Sequence, residues 1–251
     1  MPSADFRTPR IYLEAPLTGG AEVAFDRDQA NYLRNVLRLG HDDAVLLFNG
    51  RDGEWRAKLA LTGKRALSAT VGERLRQQPE PLDLHFLFAP LKHARLDYLV
   101  QKAVEMGASR LQPVITRHTQ VARVNTERMR ANAIEAAQQC GVLTLPEIKE
   151  PVAFKTIAGS DDAERLLVFC DEDAEVTDPV AALAQAQPLG QGRPPLAVLI
   201  GPEGGFAEDE REALRNRPNV VRIALGPRIL RADTAAVAAL ALVQAVLGDW
   251  K

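Results

Sequence analysis

The run Leu196-Ala197-Val198-Leu199-Ile200-Gly201-Pro202-Glu203-Gly204-Gly205-Phe206 is an unbroken apolar pentad closed by three glycines and a proline within five positions. An apolar run without alternation fits a strand buried on both faces, and such strands belong to parallel sheets covered by helices. The same pattern recurs on either side of it. Leu84–Ala89, Leu111–Ile115, Leu166–Cys170 and Val220–Leu225 all read as strands. Between them lie helical segments. Leu96, Leu99, Val100 and Ala103 form a stripe that ends at Gly107. Others cover about Thr126 to Cys140 and the region near Pro179–Ala186, and an alanine-rich helix closes the chain. Strands alternating with helices predict an α/β domain. Gln187–Pro195, rich in proline and glycine, is expected as a surface connection.

Ligands of open α/β sheets bind outside the carboxyl ends of the strands, and two loops stand at such ends. The first is Gly201–Phe206. Its glycines let the main chain approach a ligand closely. The acids that follow it, Glu208, Asp209 and Glu210, suit a helix start but oppose phosphate, so a neutral or cationic ligand is expected. The second loop is Gly226-Pro227-Arg228-Ile229-Leu230-Arg231-Ala232-Asp233-Thr234, with two arginines, an acid and a hydroxyl leading into a buried helix. Asp233 or Thr234 also suits a helix cap.

Arg76-Gln77-Gln78-Pro79-Glu80-Pro81, polar and proline-broken, marks a domain boundary. Two domains are expected, residues 1–75 and 82–251. The first reads as β-rich. Ile11 and Leu13 alternate with polar neighbours, Val45–Phe48 is apolar, and Trp55, Ala57 and Leu59 alternate again after the turn sequence Asn49–Gly53. One helix carries Tyr32, Leu33, Val36 and Leu37 and stops near Gly40. A small barrel with one helix follows.

Composition sets the outer limits. The net charge of −2 argues mildly against a dedicated nucleic-acid coat. The distribution argues otherwise, because Phe86–Glu135 is basic and Ser160–Pro179 acidic, and a local basic face can hold phosphate. Surface runs of either sign are also ordinary. Cys140 and Cys170 form no disulfide or zinc pattern, which suits a reducing cytosol. His41, His85, His93 and His118 lack metal-ligand spacing, and no metal is expected. No signal sequence is expected from residues 1–10, and the apolar stretch Ala235–Leu247 is too short to span a membrane.

Several segments together resemble the RsmE family, the 16S ribosomal RNA uridine-N3 methyltransferases of the SPOUT class. They are Leu199–Phe206, Leu225–Arg231, Gln101-Lys102-Ala103-Val104-Glu105-Met106-Gly107, Glu135–Gly141, Val36–Leu39 and Asn49-Gly50. The resemblance covers nearly the whole chain. It implies an amino-terminal PUA-like β-barrel that binds RNA and a carboxy-terminal α/β domain with a trefoil knot. It also implies a homodimer, S-adenosylmethionine as cofactor, and a cytoplasmic enzyme acting on 16S ribosomal RNA or the small ribosomal subunit. The implied cofactor set is Phe169, Leu199, Ile200, Gly201, Pro202, Gly204, Gly205, Leu225, Gly226, Ile229, Leu230 and Thr234. Departures from the family pattern are Asp233 for Glu, Ala207 for Ser, Gln138 for Glu and Val142 for Arg.

The chemistry this implies assigns roles. Uracil N3 must lose a proton, and the charge spreads over O2 and O4, where a fixed cation stabilises it. Arg231 or Arg228 suits that task, and Glu203 or Asp233 either orients the arginine or accepts the proton. Arg7, Arg10, Arg34 and Arg38 in the first domain and Lys92, Arg95 and Lys102 in the second are expected to hold RNA. Two other readings are weaker. A non-catalytic RNA-binding or ribosome-assembly protein on the same fold would not need intact glycine loops and paired arginines. A nucleotide-dependent oxidoreductase would need the missing phosphate-binding glycine motif.

Overall fold

The computed structural model describes residues 7–62, 66–121, 123–160, 162, 164–175, 178–186 and 193–250. The connection expected at 187–195 therefore lies largely outside the described residues, at 187–192. The chain divides into two units, Met1–Glu80 with Ala137–Leu145, and Pro81–Ala136 with Pro146–Lys251.

The first unit contains β1 (Arg10–Tyr12), β2 (Glu22–Ala24), α1 (Arg27–Asn31), β3 (Ala44–Phe48), β4 (Glu54–Thr62) and β5 (Ala66–Arg76). They form a five-stranded sheet in the order β1-β3-β4-β5-β2. β1 runs parallel to β3, and the other pairs are antiparallel. β1 and β2 stand at the two ends of this strand path. Ile11, Leu33, Val45, Leu47, Leu59 and Val71 fill its core. The turn at 49–53 forms because Asn49 Oδ1 accepts from the N–H groups of Arg51 and Asp52, while its Nδ2 donates to Asp52. This is the local competition with the backbone that favours asparagine in turns.

The expected helix is shorter than its apolar spacing suggests. Asp26 caps α1, with Gln29 reaching back in a capping box. The chain then widens into a π-helical turn, Tyr32–Val36, closed by Leu37 N–H on Tyr32 O. The wider turn breaks the stripe: Leu33 is buried while Tyr32 and Val36 are exposed. Arg38 follows with φ 59°, which ends the helix before Gly40.

The second unit begins with β6 (Leu84–Phe88), α2 (His93–Glu105), β7 (Arg110–Ile115), α3 (Thr126–Cys140, whose residues from Ala137 on belong to the first unit), β8 (Glu147–Ile148), β9 (Val152–Ala153) and α4 (Phe154–Ala158). It continues with β10 (Leu166–Cys170), α5 (Pro179–Gln185), β11 (Leu196–Ile200), α6 (Glu208–Arg215), β12 (Val220–Ile223) and α7 (Ala232–Val246). The sheet order is β12-β10-β11-β6-β7-β8, with β9 also on β7, and every pair is parallel. β11 sits between β10 and β6 with each of its five residues in register, and all five are buried. Each fully buried leucine there contributes about 1.5–3 kcal/mol over an exposed one. β12 is at the edge, which is why it stops at Ile223, two residues short of expectation, and leaves Val220 to Arg222 half-buried. Helix α7 packs on α2, α5 and β11. Gln244, the polar break in its apolar stretch, is buried and donates to Met106 O past the end of α2.

Candidate active site

Parallel strands put all their carboxyl ends on one edge. The loops after β12, β10, β11, β6 and β7 therefore share the side of the sheet where ligands bind.

The glycine loop after β11 is tightly built. Phe206 turns back into the core, and its ring meets Phe169 edge-on at 4.9 Å between centroids. A Cβ on Gly201 would lie 2.5 Å from that ring. Gly205 has φ +68°, and a Cβ there would come within 2.3 Å of Glu172 Oε1. Both positions thus require glycine. Ala207 offers no side-chain cap to α6. Glu210, itself buried, compensates by accepting from Ala207 N–H at 3.0 Å.

The loop after β7 is fastened to this turn. The second oxygen of Glu210 accepts from Arg117 N–H at 2.9 Å, and the Arg117 guanidinium pairs with Asp209 at 2.6 Å. His118 Nδ1 lies 3.1 Å from the carbonyl oxygens of both Gly204 and Gly205. Both partners only accept, so Nδ1 carries the proton.

Between β11 and β12, β10 is followed directly by Asp171. This residue belongs to the acidic run but is 2% exposed. Its oxygens take Arg211 Nε at 3.1 Å and Arg222 Nε at 2.6 Å. Arg211 belongs to α6, just after the glycine loop, and Arg222 to β12, just before the second loop. One buried carboxylate therefore fixes the flanks of both loops. Glu172 and Asp173 add contacts to Arg211 at 2.6 and 3.0 Å, so the three acids surround a guanidinium. Cys170, beside them, is buried, which pushes its thiol well above the usual range. It is an inert core group.

The second loop is open. Ile229 is 96% exposed, Gly226, Arg228 and Arg231 are exposed, and Leu225 and Leu230 are half-buried. The peptide N–H groups between Leu225 and Leu230 have no hydrogen-bond partner among the described residues. Asp233 Oδ1 accepts from Thr234 N–H at 2.9 Å at the start of α7. A bare isoleucine, two further aliphatic residues and unspent peptide groups suit a ligand with an apolar face and polar edges, such as an adenine.

Phe169 and Leu199 are fully buried and lie under the loops, in the core with Phe206; Ile200 and Pro202 are buried, and Gly204 is exposed. Glu203 is exposed and pairs closely with Arg95 of α2. Lys92 is exposed at the start of that helix. Lys102 lies on the same helix but pairs with Glu105. A rise of about 1.5 Å per residue sets it roughly 10 Å along the axis from Arg95, away from the loop edge. In the first unit Arg7 and Arg38 are exposed and Arg34 half-exposed. Arg10 departs from the expectation of an RNA contact. It is 6% exposed, and its guanidinium pairs with the buried Glu54 at 2.5 Å and donates to Gln138 O. Gln138 in turn accepts from Tyr12 N–H, a role inside the first unit.

Local sequence marks Glu210 only as a helix-start acid and does not single out Arg211, Arg222 or the packed role of His118. Asp171 did carry a signal, as an acid directly after a continuous apolar strand. The others became visible only once neighbouring strands brought their loops together.

The chain matches the family model of the RNA methyltransferase domain over residues 78–244 and that of the RNA methyltransferase PUA domain over residues 25–72. The ribosomal RNA small subunit methyltransferase E of Rickettsia conorii is 31% identical, with 94% of each chain covered. The protein of the same name from Synechocystis is 32% identical over 90% of this chain and 74% of its own. A solved structure of that methyltransferase from Neisseria gonorrhoeae, bound to S-adenosyl methionine, superposes with a TM-score of 0.82 at 27% identity, covering 98% of this chain and 100% of that one. A Legionella pneumophila protein solved in complex with the same cofactor gives 0.80 at 27%, covering 95% and 98%. The glycine loop, the open second loop and the buried acid between them lie inside the matched domain, and the chain belongs to the ribosomal RNA small subunit methyltransferase E family of RNA methyltransferases.

Proposed function

We propose that this protein transfers a methyl group from S-adenosylmethionine to N3 of one uridine in the 16S ribosomal RNA of the small subunit. The observation that carries this reading is the pair of loops flanking Asp171, one tightly packed and rich in glycine, the other open with unspent peptide groups. The adenosine lies against Leu225, Ile229 and Leu230, and the peptide groups of the second loop read the adenine edge. Gly201, Pro202, Gly204 and Gly205 bring backbone close to the ligand, and Thr234 closes the far end. Phe169, Leu199 and Ile200 support the site from beneath.

The cofactor supplies an electrophilic methyl on a cationic sulphur. The residues of this chain prepare the acceptor. The N3 proton passes to a carboxylate, Glu203 or Asp233. Charge then spreads to O2 and O4, where the guanidinium of Arg231 or Arg228 meets it. The N3–C bond forms as the C–S bond breaks, leaving S-adenosylhomocysteine. Guanidinium stays charged at any working pH, so this stabilisation needs no proton of its own.

The half-buried apolar face of α7, with Val237, Ala241 and Leu242, supports a homodimer through the carboxy-terminal unit. We also infer the trefoil knot, a division of labour between residues 1–75 for RNA capture and 82–251 for methyl transfer, and a cytoplasmic setting. No helix among the described residues is long and apolar enough to cross a membrane.

Calorimetry on the purified protein tests the cofactor half of this reading, with S-adenosylhomocysteine expected to bind in the absence of RNA. Mapping N3-methyluridine in 16S RNA from a strain lacking the gene tests the rest. One modified uridine should disappear there and return on complementation. An unchanged modification pattern overturns the assignment.

A further inference from the structure

A cavity of about 370 Å³ opens beside the glycine loop, on the side of β6 and β7. Leu91, Val121 and Pro202 give it apolar walls, and Lys92, Arg95, Gln120 and Glu203 give it polar ones. None of the residues from Leu225 to Thr234 lines it. It therefore shares the glycine loop with the cofactor site but lacks that site's other half.

We propose that this cavity takes the methyl-acceptor nucleotide, a pyrimidine swung out of its stack. The inference rests on the methyltransferase reading above and deepens it. Its size falls within the range of small-molecule sites, about 300–1,000 Å³. Apolar walls suit the faces of a ring. The edge of the ring is more restrictive. If N3 is to be methylated, N3 must face the methyl group and cannot be held by the protein. Recognition is then confined to O2 and O4, and both of these only accept. The cavity answers with donors. Lys92 offers an ammonium with no partner among the described residues, and Gln120 offers an amide N–H. Arg95 and Glu203 largely cancel each other in their close pair. Lys92 remains as the uncompensated charge, the right sign for an acceptor that becomes anionic at N3 and spreads its charge to O2 and O4. A base paired in a duplex cannot enter such a pocket, so the target is single-stranded or flipped out.

The test fills the cavity in the full-length protein with Val121→Trp. Two quantities are read: the dissociation constant for S-adenosylhomocysteine by calorimetry, and the single-turnover rate on small subunits from a strain lacking the enzyme. A displacement of about 1 Å at a reacting centre can cost 10²-fold, so a fall of at least that order is expected, with cofactor affinity within about twofold of wild type. Gln120→Ala, a change at an exposed position, gives the same readout without added bulk, and a loss of about tenfold in kcat/KM corresponds to one donor of roughly 1.4 kcal/mol. Turnover by both variants within about threefold of wild type overturns the proposal. Cofactor affinity falling in step with turnover also overturns it, by giving the cavity to the cofactor. If the wild-type protein itself neither binds cofactor nor methylates the subunit, the failure lies in the methyltransferase reading and not in the cavity.

Discussion

His85 shows how the fold alters a residue that its sequence context leaves plain. It lies on β6, faces Asp83 at 3.2 Å and is 14% exposed at its side chain. Burial, then the nearby guanidinium groups of Arg165 and Arg110, push its pKa down to about 4, against the pull of Asp83. The unfolded chain therefore binds a proton between about pH 6.5 and 4 that the folded chain refuses. Stability is fully present above pH 6.5 and falls as pH drops through that window, by up to about 3 kcal/mol. His85→Gln should flatten this fall. Urea unfolding at pH 7.5 and 4.5 measures it, and equal pH dependence in the two proteins would refute the assignment. Charged residues were the least readable class in the sequence. Arg10 and Arg38 look alike there, yet one is buried against Glu54 and the other is exposed with a left-handed backbone. Nothing local distinguishes them, because the carboxylate that buries Arg10 stands 44 residues away.

At the scale of elements, the segments with strong periodicity were readable and the ones completed by partners were not. β10 and β11 carry unbroken apolar pentads, and α3 runs over the expected Thr126–Cys140. The longest described strand, β5, alternates Leu67, Ala69 and Val71 with Ser68 and Thr70, then runs on through Gly72 to Arg76 without that pattern and draws its order there from pairing with β4. The two-residue strands β8 and β9 exist only as additions to β7. The linkage of both functional loops through Asp171 belongs to this scale, since it joins β10, α6 and β12. Removing its charge leaves two guanidinium groups without their shared partner. Losing one member of a buried pair typically costs about 3–5 kcal/mol. Asp171→Asn should therefore lower the unfolding free energy by a few kcal/mol. It should also weaken binding of S-adenosylhomocysteine, since the spacing of the two loops relaxes. A stable variant with wild-type affinity would show that the loops hold their spacing without it.

For the whole molecule, the chain divides after Glu80, and the first unit also contains Ala137–Leu145. That segment accepts from Arg76 at Gly141 O and from Gln78 at Leu143 O, and Gln138 takes Arg10 and Tyr12. No local pattern could announce this, because those residues continue the helical run of α3. The consequence is practical. A chain starting at Leu82 would strip Ala137–Leu145 of its partners, and lost activity could then come from lost folding. Point changes on the exposed surface ask the question of RNA capture more cleanly. Arg38 is exposed and Arg34 half-exposed, whereas Arg10 is buried against Glu54. Each phosphate contact releases counterions and steepens the dependence of log affinity on log salt by roughly 0.7–0.9. If the first unit captures RNA through these side chains, the Arg34→Ala, Arg38→Ala double variant should reduce that slope by about 1.5. It should weaken binding of 16S RNA while leaving cofactor affinity unchanged. Arg10→Ala should instead lower the unfolding midpoint, because Glu54 is left buried with half of its cationic partners. A double variant with the wild-type slope would move RNA capture off this face of the first unit and onto the second, where Lys92 stands beside the cavity.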